Sequence, residues 1–409
     1  MSESENSSNN QIPPPDSVIL TTLPTDLAPS DYQFAAQTHP KDSRFYYYDG
    51  SAVFLVENKL FKFQASLLAA DAEDYEFKHI VKDAIDGCKG DTNKLGTDHA
   101  HPIVLPADVT ASQFRDFLMV VFGGVTNSNF LVFLNTLRTR SSYNPLLVSR
   151  LVNIGYLGCR FGMKRLDNWS QVQIYTILHE FVVTNRLTDD WDARVFLRLV
   201  QYVQNATNSA YRAKLSVLMR HIMSASVKKA YELNDEIPQG NIIDICATLY
   251  QAKDILISSP GIFGFIFAVI VSLGHQSSIW NERLTREDRR ILYAASSILT
   301  RLSNHADLEV GWVTDPTEIK VVCSQCSSNF GAFWKDAFSQ CEGLKSRVPS
   351  EDIRHVVCLP AYRIHFWSIS SATCQCPNKT AINIDQKMEL LYCGLTEKYK
   401  SLVEYVLQH

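Results

Sequence analysis

Four cysteines in the C-terminal third of the chain come closest to a recognisable chemistry. Cys323 and Cys326 form a C-x2-C pair, and Cys374 and Cys376 form a C-x-C pair. Tetrahedral zinc favours closely spaced cysteines and histidines, because a short loop brings two thiolates to one ion. The C-x2-C pair is a standard half-site, whereas the C-x-C pair and the long stretch between the pairs are unusual. Three interpretations stay open: buried reduced thiols, a structural zinc site, and redox-active or disulfide-forming cysteines.

Four common catalytic motifs do not occur in the chain. The phosphate loop, the dinucleotide-binding glycine pattern, the H-E-x-x-H zinc motif and the G-x-S-x-G nucleophile motif are all missing from the sequence. His179-Glu180 lacks the second histidine of a zinc protease, and the glycines of 158–164 do not have phosphate-loop spacing. We therefore predict a protein that is not an enzyme, with no catalytic residues and no cofactor.

The charge balance argues against nucleic acid as a partner. The 409 residues carry 39 Lys and Arg against 43 Asp and Glu, a net charge of −4, whereas nucleic-acid-binding domains are usually clearly basic. No Lys or Arg precedes Lys41 and no apolar run lies near the start, so a secretory signal is not expected. Ten cysteines without such a signal indicate reduced thiols. We expect an intracellular protein of the cytoplasm or nucleus.

One segment is apolar enough to raise the question of a membrane. Residues 255–281 contain no Asp, Glu, Lys or Arg. Their dense apolar part, 261–274, is shorter than the roughly 20 residues that a spanning helix needs. The segment therefore predicts a buried core helix and no membrane partner, with a membrane-associated protein as the alternative.

Three regions follow from composition and periodicity. Residues 1–40 are rich in Ser, Asn, Pro and Thr, which predicts a disordered tail. Residues 41–180 mix short β-type segments with helical patterns and form the predicted α+β (α/β) domain. Residues 185–409 show apolar spacing at i and i+4, which predicts a mostly α-helical region of unknown function. No repeat of fixed period is present, so a solenoid is not expected.

The start of the α+β region predicts a hairpin that runs into a helix. Residues 52–56 and 60–63 are rich in β-branched and aromatic types, and a short polar turn separates them. Asn58 tolerates a left-handed backbone and suits this turn. A short strand at 103–105 and a helix capped by Ser112 are predicted to follow.

The order of these features resembles the start of a BTB (POZ) domain. In that family an acidic residue precedes a hydrophobic strand, and an F-x-φ-H-x-x-x-L stretch leads into the first helix. Here Asp49 precedes the strand. Phe61, Phe63, Gln64 and Leu68 fill the second motif, with Gln64 in the place of the usual histidine.

A later helix extends the resemblance to about a third of the chain. The stretch from Phe114 to Gly124 is similar to the family's F-x-x-φ-L-x-x-φ-Y-x-G pattern, with Phe122 in the tyrosine place. Segments 86–101 and 123–144 are expected to be loop insertions. Such insertions resemble the divergent BTB proteins of basidiomycete fungi.

The resemblance implies association with other proteins rather than chemistry. Similar BTB domains form homodimers or hetero-oligomers through the first helix and the neighbouring strands, which here would draw on residues 45–68. A groove below that surface, used by transcriptional co-repressors in some members, is the second candidate. The expected role is dimerisation or scaffolding, as a substrate adaptor or in transcription. The predicted interaction surface consists of Asp49, Val53, Leu55, Phe61, Phe63, Leu67 and Leu68.

A cullin is a further partner that the resemblance suggests. Many BTB proteins join a cullin-type ubiquitin ligase to its substrate, and a hydrophobic-x-Glu motif often precedes the late strand in those proteins. This chain has Ile85-Asp86-Gly87, without the glutamate. A ligase adaptor and an unrecognised enzyme therefore stand as alternatives to the scaffolding module.

Overall fold

A small mixed sheet is followed by an array of helices. The computed structural model describes residues 39–65, 96, 98–124, 126–184, 191–206, 208–233, 240–308, 310–315, 317, 319, 324–339, 352–371 and 377–408. Contacts group His39–His409 into one compact unit. The predicted fold class is confirmed at the level of a mixed α+β chain that is mostly helical.

The described strands form one four-stranded sheet. They are β1 (Lys41–Tyr46), β2 (Ala52–Val56), β3 (Lys59–Phe63) and β4 (Ile103–Val104). Their order is β1-β3-β2-β4, with β2 and β3 antiparallel and each outer strand parallel to its neighbour. The predicted hairpin is confirmed, and its aromatic residues meet across the strands, with Phe54 opposite Phe61.

The hairpin turn has only two residues, because β3 begins at Lys59. Among the described non-glycine residues, Glu57 alone has a positive φ, 58°. The expectation that Asn58 would supply the left-handed conformation is therefore wrong. Glu57 compensates through its side chain, because its carboxylate accepts a hydrogen bond from the Ala111 N–H at 3.0 Å. That N–H lies in the first turn of a helix, where a negative charge is favourable.

Helix α1 (Ala111–Val121) packs its aromatic face on the sheet. The Phe114 ring meets the Phe61 ring edge-on, with 5.1 Å between centroids. The cap is Thr110 and not Ser112, because Thr110 and Gln113 form a reciprocal capping box. The sequence-based choice of cap was thus wrong by two positions, while the helix itself was predicted.

The segment expected to be a loop insertion at 123–144 contains a helix. Helix α2 (Ser128–Arg138) begins at an Asn127 cap, whose side chain accepts from the Phe130 N–H. Phe133 and Leu137 bury its inner face. The loop prediction is therefore wrong for most of this segment.

Ten more helices complete the described fold. They are α3 (Pro145–Arg160), α4 (Lys164–Thr184), α5 (Ala193–Asn205), α6 (Ser209–Leu233), α7 (Asn241–Gln251), α8 (Pro260–Leu273), α9 (Arg286–Ile298), α10 (Ser324–Ser339), α11 (Ile353–Ser371) and α12 (Pro377–Gln408). Single helical turns lie at Arg140–Ser142, Lys253–Leu256, Ile279–Arg283, Leu302–Asn304, Ala306–Leu308 and Gly311–Thr314. One hydrophobic core runs from the sheet to α12.

Helix α8 is the buried core helix that the apolar segment predicts. Every residue from Gly261 to Leu273 is buried. Within the part of the chain that the structure describes, no helix has the length and apolar character to span a bilayer. A side-chain carbon on Gly264 would fall on the backbone carbonyl of Tyr392 in α12. The Thr396 hydroxyl also donates to the Pro260 carbonyl at 2.6 Å, so α8 and α12 approach backbone to backbone.

A proline interrupts the hydrogen bonds of α11. Pro360 has no N–H, so the Val356 carbonyl loses its helical partner. The Tyr392 hydroxyl of α12 donates to this carbonyl at 2.8 Å. The Ser224 hydroxyl of α6 donates to the Val357 carbonyl at 2.7 Å. The same hydroxyl accepts from the Ala361 N–H, which would otherwise bond that carbonyl. Two neighbouring helices thus supply the bonds that α11 lacks.

Candidate interaction surface

A fixed turn with three consecutive tyrosines stands at one end of the sheet. We call residues 46–51 the tyrosine turn. Its backbone is bonded to β3 at two points. Tyr47 N–H donates to the Lys62 carbonyl at 2.8 Å, and Ser51 N–H donates to the Phe63 carbonyl at 3.1 Å. The turn is therefore an extension of the sheet and not a free loop.

The side chains of Lys62 in β3 and of Gln64, just after β3, also hold the turn in place. Lys62 Nζ donates to the Tyr48 carbonyl at 3.0 Å, and Gln64 Nε2 donates to the Asp49 carbonyl at 2.5 Å. Gln64 stands where the BTB pattern usually has histidine, and its role here is to hold the turn. The backbone carbonyls at the tip of the turn are thus bonded, while the side chains are left to solvent.

Close backbone approach shapes the tip of the turn. A Cβ on Gly50 would lie 2.7 Å from the Phe63 backbone nitrogen, so a larger residue does not fit there. The turn then directs Tyr48 outward with 98% of its surface exposed, and Tyr47 is 41% exposed. Large exposed aromatic side chains on a fixed backbone are typical of binding hot spots, because little conformational entropy is lost on association.

A buried carboxylate locks the adjoining edge strand β1. Asp42 Oδ1 accepts from the N–H groups of Arg44 and Phe45, and Asp42 Oδ2 accepts from Arg115 Nε at 2.6 Å. Burial alone would raise the pKa of Asp42, but the hydrogen bonds from Arg115 and the two N–H groups outweigh it and hold the pKa below its usual value. Two N–H groups of the strand are therefore already occupied.

Charges of both signs surround the tyrosines. Lys41, Arg44 and Asp49 are exposed. Lys41 Nζ lies 4.8 Å from the centre of the Tyr46 ring, a cation–π contact, and the Tyr46 hydroxyl lies 2.7 Å from His99 Nδ1. The surface therefore combines aromatic area with mixed charge.

The structure separates the predicted surface residues into three groups. Val53, Phe61 and Phe63 are fully buried, so their side chains have no surface to offer a partner. Phe61 and Phe63 pack against Phe114 of α1, whereas Val53, which pairs with Lys62, lies on the other face of the sheet. Leu55 is half-buried and Asp49 is exposed in the tyrosine turn. Leu67 and Leu68 lie outside the described residues.

The exposed tyrosines are the surface residues that the sequence prediction missed. The run Phe45-Tyr46-Tyr47-Tyr48 is visible in the sequence. Side chains of an extended strand alternate between the two faces, so three consecutive aromatic residues cannot all point into one core. The run itself was the signal that at least one ring faces outward.

The described residues offer no site for metal chemistry. No group of three or more His, Cys, Asp or Glu among them could hold a metal ion. Of the four candidate zinc ligands, Cys326 lies in α10, where its side chain is not described, and Cys323, Cys374 and Cys376 lie outside the described residues. Burial raises the pKa of Cys246 to about 12 and is the main cause that raises the pKa of Cys159 to about 11, so these thiols stay protonated at neutral pH.

Comparison with known proteins gives no match. No family model, no curated protein and no solved structure matches this chain.

Proposed function

We propose that this chain is a protein–protein interaction module of the BTB type that pairs with a second copy of itself through the tyrosine turn. The observation that carries the proposal is Tyr48, almost wholly exposed on a backbone that β3 holds in place. An aromatic side chain exposed in this way is a ready anchor for a partner surface.

The order of the described elements supports the BTB part of the proposal. The hairpin β2–β3, the strand β4 and the helix α1 follow one another along the chain, and the helices α3 and α4 come later, after α2. The first helix that the resemblance implies after β3 lies outside the described residues. The aromatic residues of the two sequence motifs meet in one place, because Phe114 of α1 contacts Phe61 and Phe63 of β3.

The mixed charge of the surface supports self-association. A two-fold interface places the same patch on both subunits, so the patch has to complement itself. Exposed Lys41 and Arg44 lie on the strand that leads into the turn, and Asp49 lies within it. A surface that carries both positive and negative charges can pair with its own copy, whereas a surface with charges of a single sign repels its own copy.

Light scattering on the purified chain tests this proposal. We expect a dimer at micromolar concentration and a shift to monomer in Tyr48→Ser. Tyr405→Ser is the matched control, since Tyr405 is an exposed tyrosine on α12, far along the chain from the turn. A wild-type chain that stays monomeric, or a Tyr48→Ser chain that dimerises as well as wild type, contradicts the proposal.

The same variants separate scaffolding from ubiquitin-ligase adaptation. Affinity capture followed by identification of the bound proteins is carried out with wild type and with Tyr48→Ser. Recovery of a cullin with both chains would make the protein a ligase adaptor despite the missing glutamate at Gly87. Without a cullin, the scaffolding function stands.

An intracellular location, in the cytoplasm or nucleus, belongs to the proposal. The described cysteines Cys159, Cys246 and Cys393 are free thiols. Reduced thiols are the rule in those compartments. Fluorescence microscopy of a tagged full-length chain distinguishes the two.

A further inference from the structure

A polar pocket opens at the start of the buried helix α8. Its volume is 360 Å³, and α5, α6 and α12 also contribute to its walls. The side chains on which the inference depends are Gln204, Arg212, Arg220, Ser259 and Glu389. The pocket is thus lined by hydrogen-bond donors and two arginines, with one carboxylate opposite them.

The first turn of α8 presents unused donors to the pocket. Pro260 has no N–H, and the Gly261 N–H has no acceptor among the described residues. Ser259, the residue before the helix, accepts from Gln204 Nε2 at 3.0 Å, and its own O–H finds no acceptor within the described chain. The N-terminus of a helix carries partial positive charge, so these donors favour an anion.

A buried arginine provides a second and independent sign of an anion. Arg220 is 1% exposed and lines the pocket from α6. Its Nη1 atom pairs with Glu389, but its Nη2 atom is buried without a hydrogen-bond partner among the described residues. An unsatisfied buried guanidinium donor is costly, so a ligand that accepts from it is stabilised.

Glu389 occupies the position that a bound anion would take. Its side chain is 44% exposed, so it can turn into solvent, whereas Arg220 cannot. Gly261 permits this arrangement, because a Cβ there would collide with the ends of both Arg220 and Glu389. The Glu389 carboxylate therefore fills the place beside Arg220 that an external anion could take.

A second arginine stands on the same wall of the pocket. Arg212 is exposed and lies two helical turns before Arg220 on α6. It donates to the Gln204 carbonyl at 3.3 Å, and the Ser216 hydroxyl lies between the two arginines along the helix. Two arginines and a helix N-terminus together match the charge of a phosphate group better than that of a carboxylate.

We infer that this pocket binds a phosphate group, free or as the ester of a small molecule, and that the group displaces Glu389 from Arg220. The Gly261 N–H and the Ser259 hydroxyl hold its oxygens from the helix side. Arg220 and Arg212 neutralise its charge. The site is separate from the tyrosine turn and does not depend on the proposed self-association.

Calorimetric titration with inorganic phosphate tests the inference, at constant ionic strength with chloride as the control anion. Glu389→Gln is the decisive variant, because it removes the competing carboxylate and leaves the donors in place. We expect its phosphate affinity to rise by about tenfold over wild type. A folded Glu389→Gln chain whose phosphate affinity is unchanged or absent overturns the inference and leaves Arg220 as a structural ion-pair partner.

Three further chains complete the experiment. Arg212→Gln is expected to weaken phosphate binding severalfold, and Arg194→Gln, an exposed arginine that does not line the pocket, is expected to leave it unchanged. Equal loss in both variants contradicts a defined site. Arg220→Met is expected to abolish binding, with circular dichroism to show that the chain is folded. Tighter binding of glycerol 2-phosphate than of inorganic phosphate identifies an ester as the ligand, and the reverse identifies free phosphate.

Discussion

Gly50 at the end of the sheet and Gly264 in the helical array each allow the backbone to approach a neighbouring segment closely. Gly50 lies beside solvent-exposed residues, whereas Gly264 lies in the core. At Gly50 the approach folds the tyrosine turn against β3 and leaves Tyr48 in solvent. At Gly264 it joins α8 to α12, where the surrounding residues of α8 are all buried. The first contact shapes a surface, and the second holds a core. A substitution at Gly50 should therefore disturb mainly the tyrosine turn, whereas a substitution at Gly264 should destabilise the whole fold.

The largest effect is expected at the helix crossing. Gly264→Ala places a methyl group on the Tyr392 carbonyl, and backbone cannot move aside as a flexible side chain can. We expect the free energy of unfolding to fall by about 3 kcal/mol or more, measured by chemical denaturation. Gly331→Ala is the matched control in α10, where a Cβ meets nothing, and it should stabilise the chain by about 0.5–1 kcal/mol. Equal effects of the two variants would show that α8 and α12 are not in close contact.

A smaller and local effect is expected at the sheet end. Gly50→Ala brings a Cβ to 2.7 Å from the Phe63 nitrogen, a milder overlap than at Gly264, and it lies next to exposed residues of the tyrosine turn. We expect a loss of about 1–2 kcal/mol in the free energy of unfolding, together with weaker self-association in light scattering. Gly124→Ala, at an open position, should change neither measurement. A destabilised Gly50→Ala chain that dimerises normally would separate the turn from the interface.

The buried Asp42 carboxylate, which accepts hydrogen bonds within β1 and from Arg115, predicts that the free energy of unfolding depends on pH. The folded-state pKa of Asp42 lies below its unfolded value of 3.8, so its stabilisation is complete above that value and is lost as the pH falls through the folded pKa. We expect Asp42→Asn to cost about 1–2 kcal/mol of unfolding free energy at pH 7. The difference from wild type should shrink as the pH falls below 3.8, as followed by urea denaturation at each pH. A difference that stays constant down to pH values where the wild type unfolds would contradict the lock.

The smallest effect concerns the hairpin turn. Glu57 combines a left-handed backbone with a hydrogen bond to the start of α1. Glu57→Ala loses the bond and keeps the strain, whereas Glu57→Gly loses both. We expect the glycine variant to be more stable than the alanine variant by about 1 kcal/mol in thermal unfolding. Identical stabilities would show that the strained conformation relaxes.

Helices with regularly spaced apolar residues were predictable, because that spacing lies within the sequence of the helix and indicates which side chains are buried. The apolar spacing of residues 145–161 predicts a helix, and the structure has α3, Pro145–Arg160, there. The spacing of Thr285 and Asp288 predicts a helix cap, and both residues form the capping box of α9. β1 gave no such signal, because Lys41–Tyr46 begins with polar residues. It becomes a strand through pairing with β3 and through the Asp42 lock, which are both tertiary contacts.

The candidate sites were harder to predict than the elements that carry them. The hairpin residues were correctly placed on strands, but the burial of Phe61 and Phe63 depends on α1, which packs on them from far along the chain. The phosphate pocket unites Arg220 of α6 with Glu389 of α12 and the start of α8. No local spacing could associate these residues, because the packing of α6, α8 and α12 against one another brings them together.

The proline in α11 has a consequence for the order of folding. The middle of α11 completes its hydrogen bonds only when Tyr392 and Ser224 have arrived from α12 and α6. An isolated peptide of residues 353–371 should therefore be mostly unstructured in water. We therefore expect the three helices to open as one cooperative unit, with amide protons near Pro360 that exchange with solvent only when that whole unit opens.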